Sequence, residues 1–184
     1  MKPEQYHQPT DEVMFREYFD NLKLKPEDFT DKDFKDKEIL DIGSGSAQFA
    51  KWAKEHKLNA NIYSLDPKAE FSHQEKVVKA KSEALPFKDE SFDLILSYAS
   101  IPQVFSGKEY QKNGHDLIIR SIEEMLRVLR PEGEVRFGPV IDKKVQDLVR
   151  EILSRKKVLK IEEFSHSYQP VIYFKVKKIN DKIQ

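Results

Sequence analysis

Residues 38–47 read EILDIGSGSA, and the fold is decided there. Ile39, Leu40 and Ile42 form a short apolar run, the pattern of a buried strand. The run breaks at Gly43-Ser44-Gly45-Ser46-Ala47. Glycines there let the backbone turn tightly and let another group come close to it. Directly afterwards Phe49, Trp52 and Ala53 recur at helical spacing, which predicts a helix from Gln48 to Lys57. A strand that turns on glycine into a helix aims the helix N-terminus, with its unsatisfied N–H groups, at whatever lies above the turn.

The same alternation continues downstream. NANIYSLDP (59–67) reads as a second strand that stops at Asp66-Pro67, because proline pushes its predecessor out of the helical region. KVVKAKS (76–82) reads as a third strand. FDLILSYAS (92–100) reads as a fourth, apolar enough to lie mid-sheet. Ile118, Ile122, Met125 and Leu129 mark a long helix ending before Pro131, and GEVRFGPV (133–140) is a fifth strand. Val145, Leu148, Val149 and Ile152 give another helix, and VLKIEEF (158–164) and VIYFKVKKI (171–179) are two closing strands around a loop with Pro170. Upstream, Phe15, Tyr18, Phe19 and Leu22 predict an amphipathic helix over 10–22, followed by a charged connector over 26–37. The expected fold is α/β, a three-layer sandwich. Its seven-stranded sheet is mostly parallel with an antiparallel C-terminal strand, and helices cover both faces. One domain over 1–184 is expected, with 1–37 as helix and connector and 38–184 as core.

Composition narrows the function. The 184 residues include no cysteine, which excludes disulfides, thiolate metal sites and a cysteine nucleophile. No apolar run approaches the length of a membrane span, and MKPEQYHQPTDEV carries no apolar signal core, so a cytoplasmic chain is expected. Net charge is +0, but residues 141–184 hold 11 Lys/Arg against 6 Asp/Glu, an excess of five. That basic third is read as a solvated charged face rather than a phosphate-binding surface. No two histidines stand at metal-ligand spacing, so no metal site is expected.

In an open α/β sheet, ligands bind beyond the carboxyl ends of the strands. Gly43, Ser44, Gly45 and Ala47 follow the first strand, and Asp66, 23 residues after Gly43, follows the second. A carboxylate there can accept both hydroxyls of a ribose. The nicotinamide fingerprint G-x-G-x-x-G needs glycine or alanine at its sixth position, where this chain has Gln48.

Four blocks resemble the class I S-adenosylmethionine-dependent methyltransferases, in particular the small, undecorated, Rossmann-like type. They are LDIGSGSAQFAKWA (40–53), YSLDP (63–67), SEALPFKDESFDLILS (82–97) and EEMLRVLRPEGEVRF (123–137). The resemblance implies S-adenosylmethionine as cofactor and methyl transfer by in-line displacement to an acceptor, most simply a small molecule. It implies that Asp41 reaches the methionine amino group, directly or through water. Gly43, Ser44, Gly45 and Ala47 would line the methionine half, and Asp66 with Pro67 the ribose. Lys81, Ser82 and Glu83 would stand at the adenine, and Ser97 and Tyr98 would face the sulfonium and the acceptor. Aligning donor and acceptor is the main requirement, and a base is needed only where the nucleophile must lose a proton. Tyr98 and His115 are the candidates for catalysis, and the segment 100–116, with Tyr110 and Asn113, for the acceptor site. His7 is a candidate lid residue, while His56, His73 and His166 read as ordinary surface or element-end residues.

The chain departs from the family pattern in three places. Ala47 stands for the third glycine, Lys81 for the usual adenine-side acid, and Pro67–Lys76 leaves room for a turn or two where relatives have a helix. Lysine cannot accept a hydrogen bond from the adenine amino group. These departures motivate a second reading, a catalytically silent binding module, and the basic third motivates another, a nucleic-acid or protein methyltransferase.

Overall fold

The computed structural model describes residue 22 and residues 34–69, 76–106, 112–157, 159–165 and 171–179. The expected helix over 10–22, except Leu22, lies outside them, as do most of the connector, His7, His73, Tyr110, His166 and Pro170.

The elements run β1 (Glu38–Ile42), α1 (Gln48–Glu55), β2 (Asn61–Leu65), β3 (Val77–Val78), β4 (Phe92–Tyr98), α2 (Gly114–Val128), β5 (Leu129–Val140), α3 (Lys143–Ser154), β6 (Leu159–Ser165) and β7 (Ile172–Lys178). They build a seven-stranded sheet in the order β3-β2-β1-β4-β5-β7-β6. The pairs from β3 to β5 are parallel, and β7 runs antiparallel to both β5 and β6. The strand order reverses between β1 and β4, which sets the crevice where an open sheet takes a ligand.

Side chains alternate across the sheet and build two cores. Leu40, Ile42, Ile95, Val135, Phe137, Phe174 and Val176 face α2 and α3, which contribute Ile118, Ile122, Met125, Val149 and Ile152. On the other side Ile39, Ile62, Leu94 and Leu96 pack with Phe49 and Ala53 of α1 and with Leu22 and Phe34. Burying each of the larger of these side chains contributes about 1.5–3 kcal/mol relative to leaving it exposed. Phe137 and Phe174, cross-strand partners, stack with ring centroids 5.2 Å apart.

Helix ends are closed by side chains. Asp142 caps α3, its Oδ1 accepting from the N–H groups of Lys144 (2.8 Å) and Val145 (3.1 Å). At the end of α2, Lys178 Nζ donates to the Leu129 carbonyl at 2.9 Å.

Several boundaries differ from the sequence pattern, and three of them have a visible cause. Beta-5 begins at Leu129, directly after α2, rather than at Gly133. Two steps along β4 (Phe92 to Leu94) match five along β5 (Leu129 to Glu134), so Pro131-Glu132-Gly133 forms a bulge within the strand instead of a turn before it. Beta-3 keeps only Val77–Val78, because the chain then turns, the Ala84 N–H donating to the Lys81 carbonyl at 3.2 Å. Beta-4 stops at Tyr98, where Ala99 turns the chain at φ 50°.

Several cations of the basic third are tied to acids. Lys177 pairs with Glu132 (2.9 Å), Lys175 with Glu134 (3.4 Å), Lys143 with Asp147 (2.7 Å) and Arg150 with Glu163 (2.8 Å).

Candidate active site

Parallel pairing brings the carboxyl ends of four strands to one edge. Ile42 lies beside Leu65, Leu65 beside Val78, and Asp41 beside Leu96. Residues 43–47, 66–67, 79–83 and 98–100 therefore leave the sheet side by side.

The glycine turn is fastened to β2. The N–H groups of Gly43 and Ser44 donate to the Leu65 carbonyl at 2.8 and 3.2 Å. Asp66 completes the attachment. Its Oδ2 accepts from the Gly45 N–H at 3.1 Å, and its Oδ1 from the Lys68 N–H at 2.8 Å. Two residues far apart in sequence are thus in direct contact. Each carboxylate oxygen has about two acceptor positions, so one remains on each for a ligand hydroxyl.

The turn is open on one side and closed on the other. Gly45 (φ +54°) has nothing within 4 Å of where a Cβ would stand. At Gly43 (φ +76°) a Cβ would stand 2.0 Å from the Ser100 Oγ, so the segment after β4 closes against the turn. Ala47 caps α1 in the left-handed conformation, at φ 59°, and offers no side-chain cap. The Ser44 Oγ is buried with no hydrogen-bond partner among the described residues. Asp41, 4% exposed, has Ser64 as its neighbour across β1 and β2, and the Ser64 hydroxyl likewise has no partner among the described residues. Buried polar groups of this kind are normally satisfied by water or ligand.

On the adenine-side loop, Lys81 is exposed and Glu83 half-buried. The Ser82 hydroxyl is buried 2.9 Å from the Ser121 Oγ of α2. Pro67 is exposed beside Asp66. Ser97 is fully buried, its Oγ accepting from the Ile101 N–H at 3.0 Å. Tyr98 packs against the core on the α1 side. His115 is exposed on the first turn of α2.

Sequence reading placed Ser100 in the acceptor segment without its contact to Gly43, and it missed Ser121, Glu124 and Arg127. Glu124 Oε2 accepts from the Leu85 N–H at 2.7 Å, and its two oxygens accept from Arg127 Nε (2.7 Å) and Nη2 (2.8 Å). Arg127 also donates to the carbonyls of Phe87 (2.9 Å) and Leu85 (3.1 Å) and to Asp89 Oδ1 (2.7 Å). Hydrogen bonding from Arg127 holds the Glu124 carboxyl below the usual range, against partial burial, and the Leu85 N–H adds to the effect. Hydrogen bonds to Glu124 and Asp89 push the Arg127 guanidinium further up. The only local sign of this network is an i, i+3 acid–base pair.

Among the described residues no group of three His, Asp or Glu side chains could hold a metal ion. None of the described helices is long and apolar enough to cross a membrane.

The methyltransferase-domain family model matches residues 40–137, over half of the chain. No curated protein sequence matches. Solved structures do. A Methanococcus maripaludis protein assigned as an S-adenosyl-L-methionine-dependent methyltransferase aligns with TM-score 0.62 at 14% identity, over 95% of this chain and 92% of that one. A chain of the Haloferax volcanii complex between the Trm112 methyltransferase activator and its assigned methyltransferase aligns with TM-score 0.58 at 13% identity, over 92% and 94%. The Burkholderia thailandensis 1,6-didemethyltoxoflavin-N1-methyltransferase, solved with 1,6-didemethyltoxoflavin and S-adenosylhomocysteine, aligns with TM-score 0.51 at 11% identity, over 92% and 87%. At these identities the three structures speak for the fold, and the family match speaks for the chemistry. The chain belongs to the methyltransferase-domain family and is a class I, S-adenosylmethionine-dependent methyltransferase.

Proposed function

We propose that this chain transfers the methyl group of S-adenosylmethionine to a small-molecule acceptor at the crevice between β1 and β4. The observation that carries the reading is the direct bond between the Gly45 N–H and the Asp66 carboxylate. It joins the two features a ribosyl cofactor needs, a glycine turn open to close approach and an acid for the ribose.

The residues fit that cofactor. Open space above Gly45 admits the methionine half, with the buried Ser44 hydroxyl as a donor beneath it. Asp66 accepts the ribose hydroxyls with the lone pairs its backbone bonds leave, and Pro67 flanks it. Asp41, buried at the end of β1, takes the amino group, directly or through water. Lys81, Ser82 and Glu83 bound the adenine, with Ser82 acting through its backbone because its hydroxyl is engaged with Ser121. Tyr98 stands towards the acceptor, while Ser97, fully buried, does not face it directly and instead fixes the turn at Ile101. When bound, the cofactor supplies a methyl group already activated by the adjacent sulfonium. The protein's part is to hold the acceptor in line with it. Where the acceptor must lose a proton, Tyr98 and His115 are the candidates to take it.

A small acceptor is favoured over nucleic acid by the ion pairs that occupy Lys143, Arg150, Lys175 and Lys177. Titration with S-adenosylhomocysteine, followed by calorimetry and thermal melting, tests the cofactor reading. Ligand at a hundredfold excess over Kd should stabilise the fold by about 2.7 kcal/mol. Asp66→Ala should weaken binding at least tenfold. No heat and no shift at millimolar ligand would overturn it.

A further inference from the structure

We infer that Arg127, braced by Glu124, is a positioning residue that sets the adenine-side loop and thereby adenine recognition, without touching the cofactor itself. The inference rests on the cofactor reading above and adds the side chain through which the loop is held.

The loop from Lys79 to Ser91 contains no helix or strand, so little within it fixes its path. One stripe of α2 fixes it from outside. Ser121, Glu124, Arg127 and Val128 recur at helical spacing, and each meets the loop. Ser121 holds the Ser82 hydroxyl, and Glu124 holds the Leu85 N–H. The Arg127 guanidinium gathers the Leu85 and Phe87 carbonyls with the Asp89 carboxylate. The carbonyls of Arg127 and Val128 accept from the N–H groups of Glu90 (3.0 Å) and Ser91 (2.8 Å). A planar guanidinium presents its donors in a fixed fork, so it prescribes where those acceptors stand.

Lys81 makes this placement matter. Its ammonium is a donor only, so it cannot receive the adenine 6-amino group as an acid would. That recognition falls to Glu83 and to main-chain carbonyls, whose positions depend on the path of the backbone. Arg127 holds that path two residues beyond Glu83, at Leu85, and again at Phe87. Each of those bonds spans about forty positions of the chain, i−j being 42 and 40.

The test compares S-adenosylhomocysteine with S-inosylhomocysteine, in which an oxo group replaces the 6-amino group. Calorimetry on the whole chain gives the ratio of the two affinities. The wild-type protein is expected to prefer the adenosyl ligand. Arg127→Gln is expected to weaken that ligand at least tenfold and the inosyl ligand much less, so the ratio falls towards one. Arg127→Lys should fall between, because an ammonium cannot reproduce the fork. Arg150→Gln, which breaks the comparable pair with Glu163, should leave the ratio at its wild-type value. A folded Arg127→Gln protein that keeps the wild-type ratio overturns the inference, as does a wild-type ratio of one. Should Arg127→Gln not fold, Arg127→Lys and Asp89→Asn carry the test, and an unchanged ratio in both overturns it. Failure of the wild-type chain to bind either ligand would overturn the cofactor reading instead.

Discussion

At Gly43 a side-chain carbon would collide with Ser100, while at Gly45 it would meet only open space. Both residues have positive φ, so an alanine at either is strained by about 1–2 kcal/mol. Only at Gly43 is a packing penalty added, of about 1–3 kcal/mol. Gly43→Ala should therefore destabilise the fold by more than about 2 kcal/mol. Gly45→Ala should cost only about 1–2 kcal/mol of stability yet weaken S-adenosylhomocysteine at least tenfold, because its new methyl group would enter the space proposed for the ligand. Urea unfolding and calorimetry separate the two, and a larger stability loss at Gly45 would contradict the geometry. Asp66 and both glycines were legible in sequence because each sits where a strand ends, and strand ends are written in local pattern. The contact of Ser100 with Gly43 was not legible. It depends on β4 lying next to β1, which is a fact of topology.

Alpha-2 shows what an element adds to its residues. Its apolar stripe was readable from periodicity, but its polar stripe acquires meaning only once the 79–91 loop lies across it. The Glu124 carboxyl is held below its ordinary range by Arg127. The unfolded chain takes up that proton near about pH 4.3, while the folded chain resists it to lower pH. The stabilisation is complete above the unfolded value and is lost as pH falls through the folded one. Glu124→Gln should remove this contribution, so the fall in stability on the acid side becomes shallower than in the wild type. Urea titrations at neutral pH and near about pH 4 measure it, and parallel curves for the two proteins would refute it. The bulge at Pro131-Glu132-Gly133 was misread for a related reason. Proline and glycine announce a departure from regular structure, but not whether the departure falls before a strand or inside one.

Across the whole molecule the formal net charge is +0. Of the described basic residues beyond position 141, four reach acids that precede it: Lys156 pairs with Glu123, Lys175 with Glu134, Lys177 with Glu132 and Lys178 with Glu90. Single-stranded RNA or duplex DNA should accordingly show no binding at physiological salt in a mobility-shift assay. Binding with a steep salt dependence would signal phosphate contacts and reverse the choice of acceptor class. Sequence alone gave the alternation of elements and two closing strands. It could not give their lateral order, because pairing partners leave no mark on local periodicity. That order has a consequence for biosynthesis. Beta-7 is inserted between β5 and β6, although β6 is made first. While β6 is emerging from the ribosome it has no neighbour to join, and the flank of β5 is bare. Only when residues 172–178 follow can one strand close both gaps at once. Until that moment a nascent chain exposes two sticky edges, and a stalled or truncated product would be prone to capture by chaperones or by its own kind.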